Sequence, residues 1–505
     1  MKKVLMGVLS LGLLLGAATG CTSDQEKAAG KTKASSEKTE ATSGASANGY
    51  TDPSELKDSY DVVIVGSGGA GMTAALQAKE AGMNPVILEK MPVAGGNTIK
   101  SSSGMNASQT KFQEKEGIKD SNDKFFEETL KGGKGTNDQE LLRYFVDHSA
   151  EAIDWLDTKG ITLSNLTITG GMSEKRTHRP ADGSAIGGYL VDGLVRNVRE
   201  EKIPLFVDAD VTDLVEENGQ IDGVKVKMKD DKEKTVKAKA VVVTTGGFGA
   251  NEKLITQYKP ELKNYVTTNQ EGTTGDGIQM IQKVGGALVD MKEIQIHPTV
   301  QQSDAFLIGE AVRGEGAILA SQKGERFVNE LDTRDKVSAA INALPEKSAY
   351  LVFDQGVRAR AKAIDFYDQK GFVEKGETIE ELAEKIGMPA DTLKATIDTW
   401  NQDVNAKDDK QFGRTTGMEA DLSTAPYYAI KIAPGIHHTM GGVKINTKTE
   451  VLREDGTPIK GLYAAGELTG GLHGQNRIGG NAIADIIIYG RQAGTQSAEF
   501  ASAQK

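Results

Sequence analysis

The sequence predicts an α/β fold whose central sheet is parallel and assembled from both ends of the chain. Three observations predict it. Asp61-Val62-Val63-Ile64-Val65 is a β-branched run suited to a strand buried on both faces, a glycine-rich turn follows it at once, and two later strands, ending near Val243 and Ala464, also run into glycine. At 505 residues and 53.8 kDa the chain is long enough for a substantial core, spread over roughly two to four domains of about 150 residues. The balance of 60 Lys+Arg against 71 Asp+Glu leaves a formal charge of −11 with no long basic run, which excludes a nucleic-acid footprint built on phosphate neutralisation. The single cysteine excludes disulfides within the chain, zinc–cysteine clusters, iron–sulfur ligation by this chain and thioether-linked haem, so no metal is expected.

In chain order, Lys2-Lys3, an apolar run from Val4 to about Ala18 and the small residues Ala18-Thr19-Gly20 read as a signal peptide over residues 1–20. The run is shorter than the ~20 residues a membrane span needs. Cys21 directly after it resembles the lipobox of bacterial lipoproteins, which implies an acylated thiol and an extracytoplasmic protein anchored to the membrane. Between Thr22 and Gly49 there is no Val, Ile, Leu, Met or aromatic residue. Such a stretch cannot offset its ordering entropy by burial, so residues 21–55 are expected to form a disordered tether.

The folded body begins with the strand around Val63 and the sequence Gly66-Ser67-Gly68-Gly69-Ala70-Gly71, followed by a helical stretch, Met72 to Ala81. Glycines between a strand and a helix remove Cβ atoms where a pyrophosphate must approach, and the helix N-terminus faces its charge. A second strand, Pro85-Val86-Ile87-Leu88, ends in Glu89, placed to grip an adenosine ribose. Together these predict a Rossmann-like dinucleotide site. Gly95-Gly96-Asn97-Thr98 and Ser101-Ser102-Ser103-Gly104-Met105-Asn106 keep small residues winding around it. The β-rich segment Leu205 to Val243 turns at Asn218-Gly219 and Asp230-Asp231 and returns to Thr244-Thr245-Gly246-Gly247, while Gly461-Leu462-Tyr463-Ala464-Ala465-Gly466-Glu467 is a third strand running into glycine.

With these glycine loops, Gln295-Ile296-His297-Pro298-Thr299, Glu310-Ala311-Val312-Arg313-Gly314, Arg326-Phe327-Val328-Asn329-Glu330, Thr333-Arg334-Asp335, His437-His438-Thr439-Met440-Gly441-Gly442 and Asn476-Arg477-Ile478-Gly479-Gly480-Asn481 resemble the soluble fumarate reductase flavoproteins, the flavocytochrome c class, from about Tyr60 to Ala498. The resemblance implies an FAD-binding domain over residues 56–293 and 420–505 and an inserted α+β capping domain over 294–419. Helical patterns at Ile379 to Ile386 and Leu393 to Trp400 fit that insert. A closing cap would expel water and strengthen contacts to substrate charge.

Reducing a carboxylate-conjugated C=C bond takes hydride at one carbon, here from flavin N5, and a proton at the other, while negative charge builds on the carboxylate side. The resemblance gives His297, His437, Arg477, Gly480 and Met105 to the dicarboxylate substrate, which the cations would hold and polarise. It implies Arg334 as proton donor, with Glu310 and Arg313 as its relay from solvent. It gives FAD contacts to Gly66, Gly68, Ala70, Gly71, Glu89, Gly95, Gly96, Asn97, Thr98, Gly104, Gly246, Asp276, His438, Glu467, Ala482 and Ile483. His148 and His178 are expected to be ordinary structural histidines.

Departures from the family pattern matter too. The flavocytochromes carry a hydroxyl residue just before the relay glutamate, where it contacts a substrate carboxylate; this chain has Gly309. That opens urocanate, an acrylate-type acid or another unsaturated acid as alternative substrates, with a steroid-like enone on the same fold as a further reading, although aliphatic Ile296 beside His297 favours fumarate over an imidazole-bearing acid. No histidine follows Gly95-Gly96 of the kind that fixes FAD covalently in membrane succinate dehydrogenases, so FAD is expected to be noncovalent. The family's haems are impossible with one cysteine. Glu40-Ala41-Thr42-Ser43-Gly44-Ala45-Ser46 resembles the signature for covalent FMN attachment, with Ser46 as acceptor and a plain linker as the alternative. Such an FMN would pass electrons from a membrane quinone chain or a flavin electron carrier to the FAD. The leading expectation is terminal-acceptor fumarate reduction outside the cell, and a non-catalytic flavin electron-transfer lipoprotein is the reading from a different class.

Overall fold

The structure, a computed structural model, describes residues 49–504. Cys21, Ser46 and the expected signal peptide therefore lie outside the described residues.

The strand Ser59–Val65 sits between Pro85–Leu88 and Glu233–Val243 and is parallel to both, with Val63 opposite Val86 on one side and Val241 on the other. Leu205–Phe206 extends the parallel sheet beyond Pro85–Leu88, and Pro458–Ala464 joins it with Leu462 beside Val241. The sheet thus draws strands from both ends of the chain. Val62, Val63 and Ile64 are fully buried because helices cover the sheet. The helix Gly69–Glu80 packs on it together with the C-terminal helix Asn481–Ala503. It starts three residues before the expected Met72, because the glycine turn itself forms the first helical turn, with Met72 N donating to Gly68 O at 3.1 Å. Between Phe206 and Val243 the chain forms a meander whose Asn218-Gly219 turn has positive φ at both residues.

A second hydrophobic core runs from Ile308 to Ile432. Its sheet is ordered Phe306–Leu307, Ile294–Gln301, Tyr427–Thr439, Ala349–Asp354, Ile318–Ala320. Trp400 fills its centre between the Arg326 and Arg414 guanidiniums, 4.5 and 4.7 Å from the ring centroid. Both cations are paired with Glu330, so these buried charges are compensated. The 13-residue strand Tyr427–Thr439 spans both cores, contributing Tyr428 to Ile432 to the second and Ile436 to the first. Its pairing with Ile294–Gln301 shifts register on either side of His297, and these irregularities aim individual side chains away from a regular ladder. Among the described residues, no helix is long and apolar enough to cross a membrane.

Candidate active site

The first cavity, about 810 Å³, lies at the carboxyl ends of the parallel strands and the N-terminus of the first helix. Gly66, Gly68, Ala70, Glu89, Gly96, Asn97, Thr98, Gly246, Asp276 and Glu467 line it. Gly71 does not; a Cβ there would lie 2.0 Å from Gly66 O, so this glycine is required for strand and helix to meet. Gly68 is open instead, with nothing nearer than Thr98 Oγ1 at 3.9 Å from its Cβ position. The Glu89 carboxylate accepts bonds from Ser67 N and Oγ at 2.8 and 2.7 Å and from Met91 N at 2.8 Å. Asp276 pairs with Lys90 at 2.5 Å. Gly95 sits behind the wall, its N–H donating to Ser67 O at 3.1 Å. An open backbone cradle at a helix N-terminus, with the buried Thr245 Oγ1 unpartnered in its wall, fits a dinucleotide pyrophosphate.

The second cavity, about 980 Å³, shares Asn97, Thr98, Glu467 and Ile486 with the first. Gly104, Gly480, Ala482 and Ile483 line it together with Arg334, His437, His438 and Arg477. Arg334 opens the helix Arg334–Asn342, His437 and His438 sit near the end of the long strand, and Arg477 and Gly480 precede the C-terminal helix. Elements hundreds of residues apart therefore converge on one space. His438 Nε2 is buried and unpartnered, and its Nδ1 stands 3.6 Å from Glu467 Oε1. Asn97 Nδ2 donates to Glu467 Oε2 at 3.2 Å, and burial raises the Glu467 carboxyl above the usual range.

Arg334 Nε and Nη2 donate to Glu310 Oε2 at 3.1 and 2.8 Å. Arg313 Nη2 stands 3.8 Å from Glu310 Oε1, so the three form a continuous buried chain. Burial pushes the Glu310 carboxyl up, but Arg334 and Arg313 more than offset this and hold it below its ordinary value. Burial draws Arg313 down to about 10 and, aided by the Arg334 charge, Arg477 down to about 9. His297 and His437 lie with their rings 5.2 Å apart, edge to face. Both are held well below 6.5 by burial and then by Arg334, so both are neutral near pH 7. His297 Nδ1 accepts from Thr299 N at 3.2 Å, which leaves its proton on Nε2, a buried donor without a partner.

His297, Glu310 and Arg313 lie behind the lining residues rather than among them. Met105 is fully buried in a short strand against His178 and lines neither cavity. His178 bonds through both ring nitrogens, to Thr110 Oγ1 and Arg176 O, and His148 stacks on Tyr144. The geometry adds a residue to which sequence reasoning gave no role. Gln295 Oε1 accepts from Arg334 Nη1 and from Arg477 Nη2, both at 3.1 Å, and so sets the spacing of the two guanidiniums. Its place two positions before His297 was the one available signal, since alternate residues of a strand share a face.

A family described as FAD binding domain matches residues 61–483. The NADH:fumarate oxidoreductase of Klebsiella pneumoniae is 54% identical over 444 residues, 88% of this chain and 48% of the relative, so this chain spans about half of that enzyme's length. The fumarate reductase (cytochrome) of Shewanella frigidimarina is 43% identical over 88% of this chain and 78% of its own. The open conformation of a flavocytochrome c3 fumarate reductase superposes with a TM-score of 0.73 at 40% identity, covering 89% of this chain and 79% of that one. The chain thus belongs to the FAD-binding oxidoreductase family that includes the soluble fumarate reductase flavoproteins.

Proposed function

We propose that the protein is an extracytoplasmic, FAD-dependent fumarate reductase that forms succinate. One observation carries this reading. Arg334 and Arg477 line one cavity continuous with the dinucleotide cradle, bridged by Gln295 Oε1; Arg334 and the buried Arg313 behind it face Glu310, while Arg477 Nε is buried without a partner. The excess positive charge matches a dianion, and the neutral His297 and His437 add directional donors. Two fumarate-acting relatives support the choice of substrate.

FAD, when bound noncovalently, supplies the hydride. Gly66, Gly68, Gly96 and Gly246 give its phosphates room, and Glu89 and Asp276 border the same cavity. Arg477 and His437 hold the substrate carboxylates, and charge accumulating there is met by donors already in place. Arg334 gives its proton to the substrate carbon and is reprotonated through Glu310 and Arg313. The strong hydrogen bonds from Arg334 to Glu310 keep donor and relay in contact. The second core, built from residues between Ile308 and Ile432, acts as the cap that excludes water.

We also propose that a lipid on Cys21 tethers the protein to the membrane. FMN on Ser46 would take electrons from a quinone chain or flavin carrier. Mass spectrometry of the 22–49 peptide tests the FMN, and an unmodified mass from cells with a working flavin-transfer system overturns it. For the activity, purified holoenzyme with reduced viologen is given fumarate, urocanate and acrylate. Fastest turnover is expected with fumarate; no fumarate turnover alongside rapid reduction of another acid overturns the reading.

A further inference from the structure

The second cavity holds a buried, unpartnered hydroxyl that the proposed reaction does not use. Ser102 Oγ is buried, lies on a residue lining the cavity with Arg334, His437 and Arg477, and has no hydrogen-bond partner. A buried hydroxyl without a partner is costly, and a group entering the cavity can supply one. The residue beside it is Gly309. A Cβ built there would lie 2.9 Å from Ser102 Oγ, 3.1 Å from Ser102 Cβ and 3.2 Å from Tyr367 Oη. The notch therefore has room for one hydroxyl-bearing side chain, and the chain fills it from residue 102 rather than 309.

The position is chemically apt. Leu307, two residues before Gly309, lines the cavity, and Glu310, directly after it, holds Arg334. Tyr367 Oη accepts the Gly309 N–H at 3.0 Å and fixes this stretch of backbone. The notch thus borders the cavity beside the cation cluster.

We propose that Ser102 Oγ donates a hydrogen bond to a carboxylate of the bound dicarboxylate, and that the missing side chain at 309 is what gives it room. Ser102 is then a substrate-binding residue, and positions 102 and 309 form a coupled pair in which one hydroxyl is required and two collide. This rests on the dicarboxylate reading of the site.

The test is a cycle of Ser102→Ala, Gly309→Ser and the double variant in the holoenzyme, each checked for flavin content. It reads fumarate KM and kcat, and the dissociation constant of succinate from the flavin absorbance change of the oxidised enzyme. Ser102→Ala is expected to raise KM and the succinate constant about tenfold, with kcat within about twofold. Gly309→Ser alone is expected to weaken binding through the collision, and the double variant to recover most of the loss. A merely structural serine would not be rescued from position 309. Unchanged KM and succinate affinity in Ser102→Ala, or failure of rescue with full flavin content, overturns the inference. Absence of fumarate turnover in the wild type would defeat the functional reading instead, with succinate binding still deciding the role of Ser102.

Discussion

The two cavities touch, yet they are built on opposite principles. The first is mainly backbone: Gly66, Gly68, Gly96 and Gly246 come from strand-to-loop turns, and recognition comes from absent side chains and a helix N-terminus. The second is long charged side chains, with Arg334 from the second core's segment and His437 and Arg477 from the C-terminal part of the chain. The difference teaches that binding a dinucleotide needs space and amide donors, which cost little to keep ready. Binding a dianion needs like charges held close without water, so the cations depend on Glu310 and Gln295 to remain where they are.

Four results would break or sharpen that contrast. The largest effect is expected from Arg334→Ala, which should lower kcat by about 10²–10⁴-fold while the flavin stays bound. Loss of flavin together with activity would erase the distinction between the cavities. Gly71→Ala should do the converse, since its Cβ would meet Gly66 O at 2.0 Å. The strain, about 1–3 kcal/mol or more, is expected to strip flavin absorbance from the purified protein and lower its melting temperature.

A smaller effect is expected from Gln295→Ala, which removes the acceptor shared by Arg334 and Arg477. Its kcat/KM for fumarate should fall roughly 10–100-fold, as for hydrogen bonds to charged groups, with flavin content unchanged. The smallest concerns pH. The Arg477 guanidinium, lowered to about 9, keeps its charge below that pH and loses it above, so kcat/KM should decline as pH rises past about 9. A bound dianion favours the cation, so kcat should hold its plateau to higher pH than kcat/KM. His297 and His437 are held well below 6.5, so neither should produce a break between pH 6.5 and 8.

Much of the first cavity was legible because its determinants are local. The run Val62 to Val65, the turn that follows and Glu89 lie within some thirty residues, and strand, turn and helix fall almost where the pattern puts them. The helix began earlier than hydrophobic periodicity implied because glycines carry no hydrophobic signal, though their backbone forms the first turn. Residues of the second cavity were legible only through resemblance, since a histidine or arginine in a lone strand or loop carries no sign of its partners.

By itself, then, the sequence determined a parallel sheet built from both chain ends and a glycine cradle for a dinucleotide, because backbone sterics and alternation act over a few residues. Tertiary structure alone decided that Gln295 bridges two guanidiniums, that His297 stands behind His437 with a free Nε2 donor, and that Ser102 and Gly309 share one notch. The physical reason is that these are distances between segments far apart in the chain. Burial and Coulomb interactions take effect only after folding has brought such segments within a few ångströms of one another.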